Sequence, residues 1–362
     1  MNILFTSDLS GMGGGETSLV NLISVLEKRN NIVVLCATEG KLNTILKEMG
    51  IRVVAFNYRD KTSLFSSILK IRKIIKKFNI NIIHSNDPLT SVLMYLSAIN
   101  LDVSNYWTCH GQWYRFTGIK KYLIKHANRH VFCVSTAVET SLKEMGFTKT
   151  SVSYLGIPLE KYSKVEPSEL RKQYGIGCNT FLVGTVGRFQ RIKGQLKMVK
   201  AVKMLIEDGY DISYLLIGGC IYDNQEEKEY YSEIVNYIEM NSLKETVILT
   251  GEKNNIPEIM HELQLLVVPS DNESFGMVAI EALASGLPII TTPNDGVSEI
   301  MMYNKQFVAE TNDTEGLYKL VKSYISSSYV QSDAIAFAEF RKNDFQIEKI
   351  ANKYESMFTL EK

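Results

Sequence analysis

Two carboxylates, Glu273 and Glu281, stand eight positions apart in Glu273-Ser-Phe-Gly-Met-Val-Ala-Ile-Glu281. The run before them, Leu265-Leu-Val-Val-Pro-Ser270, has the continuous apolar character of a buried parallel strand, and Gly276 to Ser285 reads as a helix stopped by Gly286, with Pro288 beyond. Glu273 then sits just ahead of the helix, and Glu281 about one and a half turns inside it. Met277, Val278, Ala279, Ile280, Ala282, Leu283 and Ala284 surround Glu281, so this helix has little polar face. Burying an unpaired charge costs several kcal/mol, and the partner that a nucleotide-binding α/β crevice offers is a pair of ribose hydroxyls. The competing reading is a partly solvated glutamate.

Two further segments have the chemistry of phosphate binding. Val186-Gly-Arg188-Phe-Gln-Arg-Ile-Lys193-Gly194 follows an apolar strand and precedes a helix expected from about Gln195 to Asp208. Arg188 offers a fork of donors and Lys193 a point charge, and together they could neutralise a diphosphate; a surface basic cluster is the alternative, as Arg191 illustrates. Near the start, Gly11-Met-Gly-Gly-Gly15-Glu16 leads from a strand into a helix expected from about Thr17 to Arg29. Glycines there let backbone N–H groups approach an anion at the helix N-terminus, although a simple tight turn fits equally well. The spacing matches neither the dinucleotide fingerprint nor a P-loop.

These segments need strands and helices to carry them. Strand-like runs are Ile3 to Thr6, Ile32 to Ala37, Arg52 to Phe56, Ile80 to His84, Tyr106 to Cys109, Val131 to Val134 and Ser151 to Tyr154, alternating with helical stretches. After a polar passage from Lys161 to Gly177, the alternation resumes with Phe181 to Val186, Ser213 to Ile217, Val247 to Thr250, Leu265 to Pro269, Ile289 to Thr291 and Phe307 to Ala309. The fold class expected is α/β, as two doubly wound parallel sheets. Ligands in such sheets bind outside the carboxyl ends of the strands, where almost every unusual residue of this chain falls. The segment from Ile347 to Phe358 is helical, with Ile347, Ile350, Ala351, Tyr354 and Phe358 on one stripe.

A chain of 362 residues suits two domains. It is 45% hydrophobic and 22% charged, with no apolar run long enough to cross a bilayer, the composition of a protein that folds in water. The start runs straight into a strand, which argues against secretion, and five scattered cysteines suit free thiols in a reducing compartment. The expected location is cytoplasmic. Net charge is zero but divided: residues 1–160 carry 19 Lys and Arg against 11 Asp and Glu, a balance of +8, leaving −8 for the rest. The basic excess gathers in Lys70-Ile-Arg-Lys-Ile-Ile-Lys-Lys77 and Lys120-Lys-Tyr-Leu-Ile-Lys-His-Ala-Asn-Arg129. Such runs are either solvated helix faces or a contact for anionic lipid headgroups, including peripheral contact with a membrane. Nothing points to nucleic acid.

Taken together, Glu273 to Glu281 with its flanking Pro269-Ser270 and Gly286-Leu-Pro288 resembles the E-x7-E signature of the retaining glycosyltransferases of family 4. Gly187-Arg188 with Lys193-Gly194 resembles the family's G-R-x(4)-K-G element, and Gly13-Gly-Gly-Glu16 its N-terminal glycine loop. The similarity spans nearly the whole chain. It implies the GT-B architecture, two Rossmann-like domains facing a central cleft: residues 1–160 on the acceptor side, 161–345 binding the nucleotide sugar, and 346–362 as a helix crossing back to the first domain. Position by position, it implies that Gly14 places a backbone N–H near the donor diphosphate and that Arg188 and Lys193 hold it. Glu273 would contact hydroxyls of the transferred sugar, main-chain groups around Phe275, Gly276 and Met277 would assist sugar and phosphate, and Glu281 would take the ribose hydroxyls. His110, in Thr108-Cys-His-Gly111, resembles the histidine that faces the anomeric carbon of the donor, with a structural strand-end histidine as the alternative.

The resemblance further implies transfer from a nucleoside-diphosphate sugar, uridine by family frequency, to a glycan or lipid-linked acceptor with α-linkage. It implies front-face displacement and neither cofactor nor metal. Backbone groups near Gly251 to Ile256 would read the base. No Asp-x-Asp or His-Glu-x-x-His motif is present, and His126 and His130, at i and i+4, lack an evident third ligand. Two positions depart from the family pattern: Leu155-Gly-Ile-Pro158 stands for the usual Asn-Gly-Ile-Asp, and Asp295 precedes Gly296-Val-Ser-Glu299 where a glycine is common. The loop Gln112-Trp-Tyr-Arg-Phe-Thr-Gly118 collects aromatics beside basic residues, as an acceptor platform or as a flap packed on its own domain. A sugar-nucleotide epimerase of similar shape and a non-catalytic nucleotide-sugar-binding protein are the alternative functions.

Overall fold

Alternation along the first strand sets up the layers. In β1 (Asn2–Ser7), Ile3 and Phe5 join one buried cluster while Leu4 joins another, so the sheet is apolar on both faces and must be covered on both. The computed structural model describes residues 1–8, 11–58, 60, 63–163, 165–166, 169–220 and 225–360. It divides into two compact units, Met1–Ile157 with Phe345–Lys362, and Pro158–Asp344.

In the first unit β1 is followed by α1 (Gly14–Leu26), β2 (Asn31–Cys36), α2 (Lys41–Glu48), β3 (Arg52–Ala55), α3 (Leu64–Lys77) and β4 (Ile82–Ser85). Then come α4 (Pro88–Ala98), β5 (Ser104–Cys109), α5 (Gly118–Ala127), β6 (His130–Cys133), α6 (Thr136–Glu144) and β7 (Thr150–Val152). Its seven strands are all parallel, in the order β3-β2-β1-β4-β5-β6-β7.

The second unit holds α7 (Glu160–Ser163), α8 (Leu170–Gln173), β8 (Phe181–Val186), α9 (Gln195–Glu207), β9 (Ile212–Ile217), α10 (Gln225–Met240) and β10 (Val247–Gly251). It continues with α11 (Ile256–Glu262), β11 (Leu265–Val268), α12 (Met277–Ala284), β12 (Ile289–Thr291), α13 (Asp295–Ile300), α14 (Thr314–Ile325) and α15 (Ser328–Arg341). Its five strands are parallel too, ordered β10-β9-β8-β11-β12.

The last helix, α16 (Ile347–Leu360), lays its apolar stripe against the first unit's sheet. Tyr354 stacks on Phe132 with ring centroids 4.1 Å apart, and Phe358, fully buried, packs on Tyr106 at 4.8 Å. Each such aromatic burial stabilises by roughly 1.5–3 kcal/mol.

Two expectations need correction. The segment Phe307 to Ala309 is not a ladder strand: Lys305–Phe307 forms a 3-10 turn, Val308 makes one isolated bridge to Thr291, and Phe307 serves as a buried core plug. Helix α1 starts at Gly14 rather than Thr17, because the Glu16 carboxylate reaches back to accept the Gly13 N–H at 3.1 Å and closes a first turn. His126 and His130 do not share a helix, since α5 ends at Ala127 and His130 begins β6. None of the five cysteines is in a disulfide, and no helix among the described residues is long and apolar enough to cross a membrane.

Candidate active site

The strand order of the second sheet reverses between β8 and β11. Loops leaving the carboxyl ends of those strands therefore diverge at a topological switch point, where open α/β sheets bind ligands. Arg188 follows β8 by two residues and Glu273 follows β11 by five.

Those two loops are laced together. The Asp271 N–H donates to the Ile192 carbonyl at 2.8 Å, and Gln195, buried at the start of α9, donates from Nε2 to the Arg188 carbonyl at 2.6 Å. Gly194 has φ +67°, and a Cβ there would come within 2.0 Å of the Pro269 carbonyl oxygen, so the turn that delivers Lys193 tolerates glycine alone. Lys193 Nζ donates to Glu273 Oε1 at 2.6 Å, with side chains 23% and 13% exposed, and Ser270 Oγ donates to the same oxygen at 3.1 Å. Arg191 is directed elsewhere, pairing with Glu233 at 2.6 Å over the Tyr230 ring.

After Glu273 the chain turns into α12. The Phe275 ring enters the core, which leaves its backbone, with that of Gly276 and Met277, at the helix N-terminus, whose first-turn N–H groups favour an anion. Helix α13 buttresses this turn: the Gly296 N–H donates to the Glu273 carbonyl at 2.8 Å, and a Cβ on Gly296 would stand 2.4 Å from Phe275 N.

Glu281 lies on the next turn of α12, half-buried. Burial pushes its pKa up to about 7, against the downward pull of a hydrogen bond from Tyr162 and of the Lys161 charge. Tyr162, on α7, is 3% exposed; burial and the Glu281 charge push its hydroxyl well up, so it stays a donor. The Tyr162 carbonyl in turn accepts from His261 Nε2 at 2.5 Å. Ribose hydroxyls can donate to this carboxylate when it is ionised.

In the first unit, Gly14 opens α1 at the carboxyl end of β1, where the strand order also reverses. His110 follows β5, and its ring atoms lie 3.9 Å from where a Cβ on Gly15 would be, so the structure brings the glycine loop and this histidine side by side. Burial holds the His110 pKa down near 4, leaving the ring neutral. Behind it, His84 on β4 is held near 3 by burial and by His110, and hydrogen-bonds Thr108 Oγ1 at 2.9 Å. Thr108 hydrogen-bonds the Tyr354 hydroxyl of α16 at 3.0 Å. Glu16, an acid in the first turn of α1, occupies part of the positive end that a phosphate would use.

Residues 12–161 match the family described as Glycosyltransferase Family 4, and residues 167–341 that described as Glycosyl transferases group 1. The chain belongs to glycosyltransferase family 4. This glycosyltransferase is 24% identical to the Staphylococcus aureus capsular polysaccharide biosynthesis glycosyltransferase CapM, over 93% of its own length and 92% of that protein. It is 25% identical to the Escherichia coli UDP-Gal:alpha-D-GlcNAc-diphosphoundecaprenol alpha-1,3-galactosyltransferase over 69% of this chain and 67% of the other. Among solved structures, Anabaena Alr3699/HepE in complex with UDP superposes with a TM-score of 0.88 at 20% identity, covering 99% of this chain and 100% of that one. The fold is therefore GT-B, two parallel-sheet α/β units.

Within the glycosyltransferase, Arg188, Lys193, Glu273, Phe275, Gly276, Met277 and Glu281 all fall in the second unit, and Gly14 and His110 in the first. Reading the sequence missed Tyr162, Ser270 as a Glu273 donor, Gln195 and the Gly296 buttress. Ser270 and Gly296 stood beside the motifs; Tyr162 lay in a passage with no periodic signal. Among the described residues, no group of three or more His, Cys, Asp and Glu could hold a metal. His126 Nδ1 is engaged by the Tyr122 carbonyl and His130 Nε2 by Ser151.

Proposed function

We propose that the protein is a retaining hexosyltransferase that moves a hexose or N-acetylhexosamine from a UDP-sugar to a glycan or lipid-linked acceptor, forming an α-linkage, without a metal. The Lys193–Glu273 pair at the β8/β11 switch point carries this reading: a cation and a carboxylate 2.6 Å apart, on loops that also carry Arg188 and lead into α12, suit the phosphate and the hydroxyls of one nucleotide sugar. Arg188 and Lys193 hold the diphosphate, Glu273 the transferred sugar, and Glu281 the ribose. Backbone groups of Gly14, Phe275, Gly276 and Met277 add donors, and His110 faces the anomeric carbon as a neutral donor or acceptor.

Chemically, the bond from the anomeric carbon to the diphosphate oxygen breaks while the acceptor oxygen attacks from the same face. The departing phosphate oxygen receives the acceptor proton. Cations aimed at that oxygen stabilise the charge that develops as it leaves, and loss of one such donor typically costs ~3 kcal/mol. The similarity to CapM and to the diphosphoundecaprenol galactosyltransferase supports a place in surface polysaccharide or glycoconjugate assembly; a cytoplasmic location, peripheral at a membrane, is part of the same proposal.

The test is a panel of nucleotide sugars incubated with purified protein, following slow hydrolysis and the anomeric configuration of the first-formed sugar by NMR. An α-configured product from a UDP-sugar is expected. Equilibration with a 2-epimer, without hydrolysis or transfer, would identify an epimerase instead, and binding without turnover a non-catalytic binding protein.

A further inference from the structure

The loop that carries Arg188 and Lys193 is held by two elements. One is the turn after β11, which meets it at Pro269, Asp271 and Glu273. The other is α10, which receives three consecutive side chains from between the two cations. The buried Phe189 ring meets Tyr231 edge-on at 5.0 Å, Gln190 Nε2 donates to Glu227 Oε1 at 2.9 Å, and Arg191 pairs with Glu233 while lying over the Tyr230 ring. Glu227, Tyr230 and Glu233 recur every three residues, the spacing that lines one face of a helix.

Tyr230 ties this face to the start of α9. Its hydroxyl, on a residue 3% exposed, accepts the Leu196 N–H at 3.0 Å. Leu196 is the second residue of α9, so this N–H is one of the first-turn donors for which the helix itself has no partner. Burial pushes the Tyr230 pKa up to about 12, which keeps the hydroxyl protonated and neutral. The backbone is thereby fixed to α10 three residues beyond Lys193, with the sterically restricted Gly194 between them. Because a tyrosine oxygen takes this N–H, the charge of a diphosphate is left to the side chains of Arg188 and Lys193. Their placement then matters to the rate, since a shift of about 1 Å at a reacting group can cost on the order of a hundredfold.

We propose that Tyr230 is a positioning residue of the transfer reaction, which through Leu196 and Gly194 sets Lys193 at the departing diphosphate and touches no substrate atom itself. The proposal rests on the reading of Arg188 and Lys193 as the diphosphate grip, and adds the helix that aims it. A tyrosine that only filled the core would alter turnover independently of Lys193; one that aims Lys193 loses its effect when Lys193 is gone.

Tyr230→Phe keeps the buried ring and leaves the Leu196 N–H without its acceptor. With a UDP-sugar as substrate, kcat and KM are measured for wild type, Tyr230→Phe, Lys193→Ala and the double variant, with UDP affinity and Tm in parallel. Tyr230→Phe is expected to lower kcat about tenfold with KM within about threefold, and to cause no further loss in the Lys193→Ala background. Unchanged kcat in Tyr230→Phe, or the same loss repeated in the Lys193→Ala background, overturns the proposal and leaves Tyr230 a packing residue. Tyr237→Phe, farther along α10 beside Lys200, is the control and keeps wild-type turnover; equal loss there overturns the proposal too. Should Tyr230→Phe not fold, Arg191→Ala, at a side chain 54% exposed, releases the loop from Glu233 and from the Tyr230 ring. A loss in kcat of about threefold at unchanged Tm is then expected, again absent without Lys193, and full turnover overturns the proposal. Wild-type activity of Lys193→Ala itself, or a wild-type protein that binds no UDP, would sink the diphosphate grip instead.

Discussion

Lys193 and Glu273, eighty residues apart in the chain, meet at 2.6 Å with Ser270 Oγ on the same carboxylate oxygen. The pair exists because β8 and β11 are neighbours in the sheet, and because Gly194 lets the loop after β8 lie directly on Pro269. In the free protein each charge satisfies the other.

Removing either member should separate binding from chemistry. Glu273→Ala is expected to abolish transfer while UDP affinity stays within about tenfold, or ~1.4 kcal/mol. Lys193→Ala should lower kcat by about two orders of magnitude through loss of charge at the departing phosphate. Steady-state turnover with calorimetric UDP binding checks both, and an unimpaired Glu273→Ala enzyme would contradict the role given to that carboxylate.

Glu281 links stability to pH. Its folded pKa, about 7, is raised above the ordinary value of 4.5, so the folded chain keeps a proton that the unfolded chain has lost. The group costs nothing below 4.5, destabilises increasingly as pH rises toward 7, and imposes its full cost above that. Glu281→Gln should therefore melt higher than wild type at about pH 8, with the gap closing on acidification toward about pH 4.5. A Tm series across that range decides it; a variant no more stable than wild type at the alkaline end would be incompatible with a strained carboxyl.

Tyr162→Phe removes the hydrogen bond that draws the Glu281 pKa down. The carboxyl should then ionise at still higher pH, moving the midpoint of pH-dependent UDP affinity upward and weakening affinity at neutral pH. Titrations of UDP at a series of pH values read the midpoint directly, and an unmoved midpoint would leave Tyr162 with a packing role alone.

Gly296→Ala tests the buttress. The added methyl would collide with Phe275 N and the Glu273 carbonyl, so the turn must shift, at a cost of about 1–3 kcal/mol. Turnover should fall further than the stability loss predicts, because the displaced residues are those that position the sugar. Denaturant midpoints measured beside kcat would show whether the two effects separate.

Much of this protein was legible without coordinates, and for a local reason. Strands such as Leu265–Val268 announce themselves by uninterrupted apolar residues, and Arg188, Lys193, Glu273 and Glu281 stand at fixed short offsets from strand ends or inside one helix. Backbone propensity and side-chain period act over a few residues, so they survive in the linear sequence. Phe307–Ala309 shows the limit, since an apolar triplet can fill a core without pairing as a strand. Only the tertiary structure decided which strand ends are neighbours, that Glu273 answers Lys193, and that Tyr162 lies under Glu281. Those relationships come from sheet order and packing across scores of intervening residues, which no local pattern encodes.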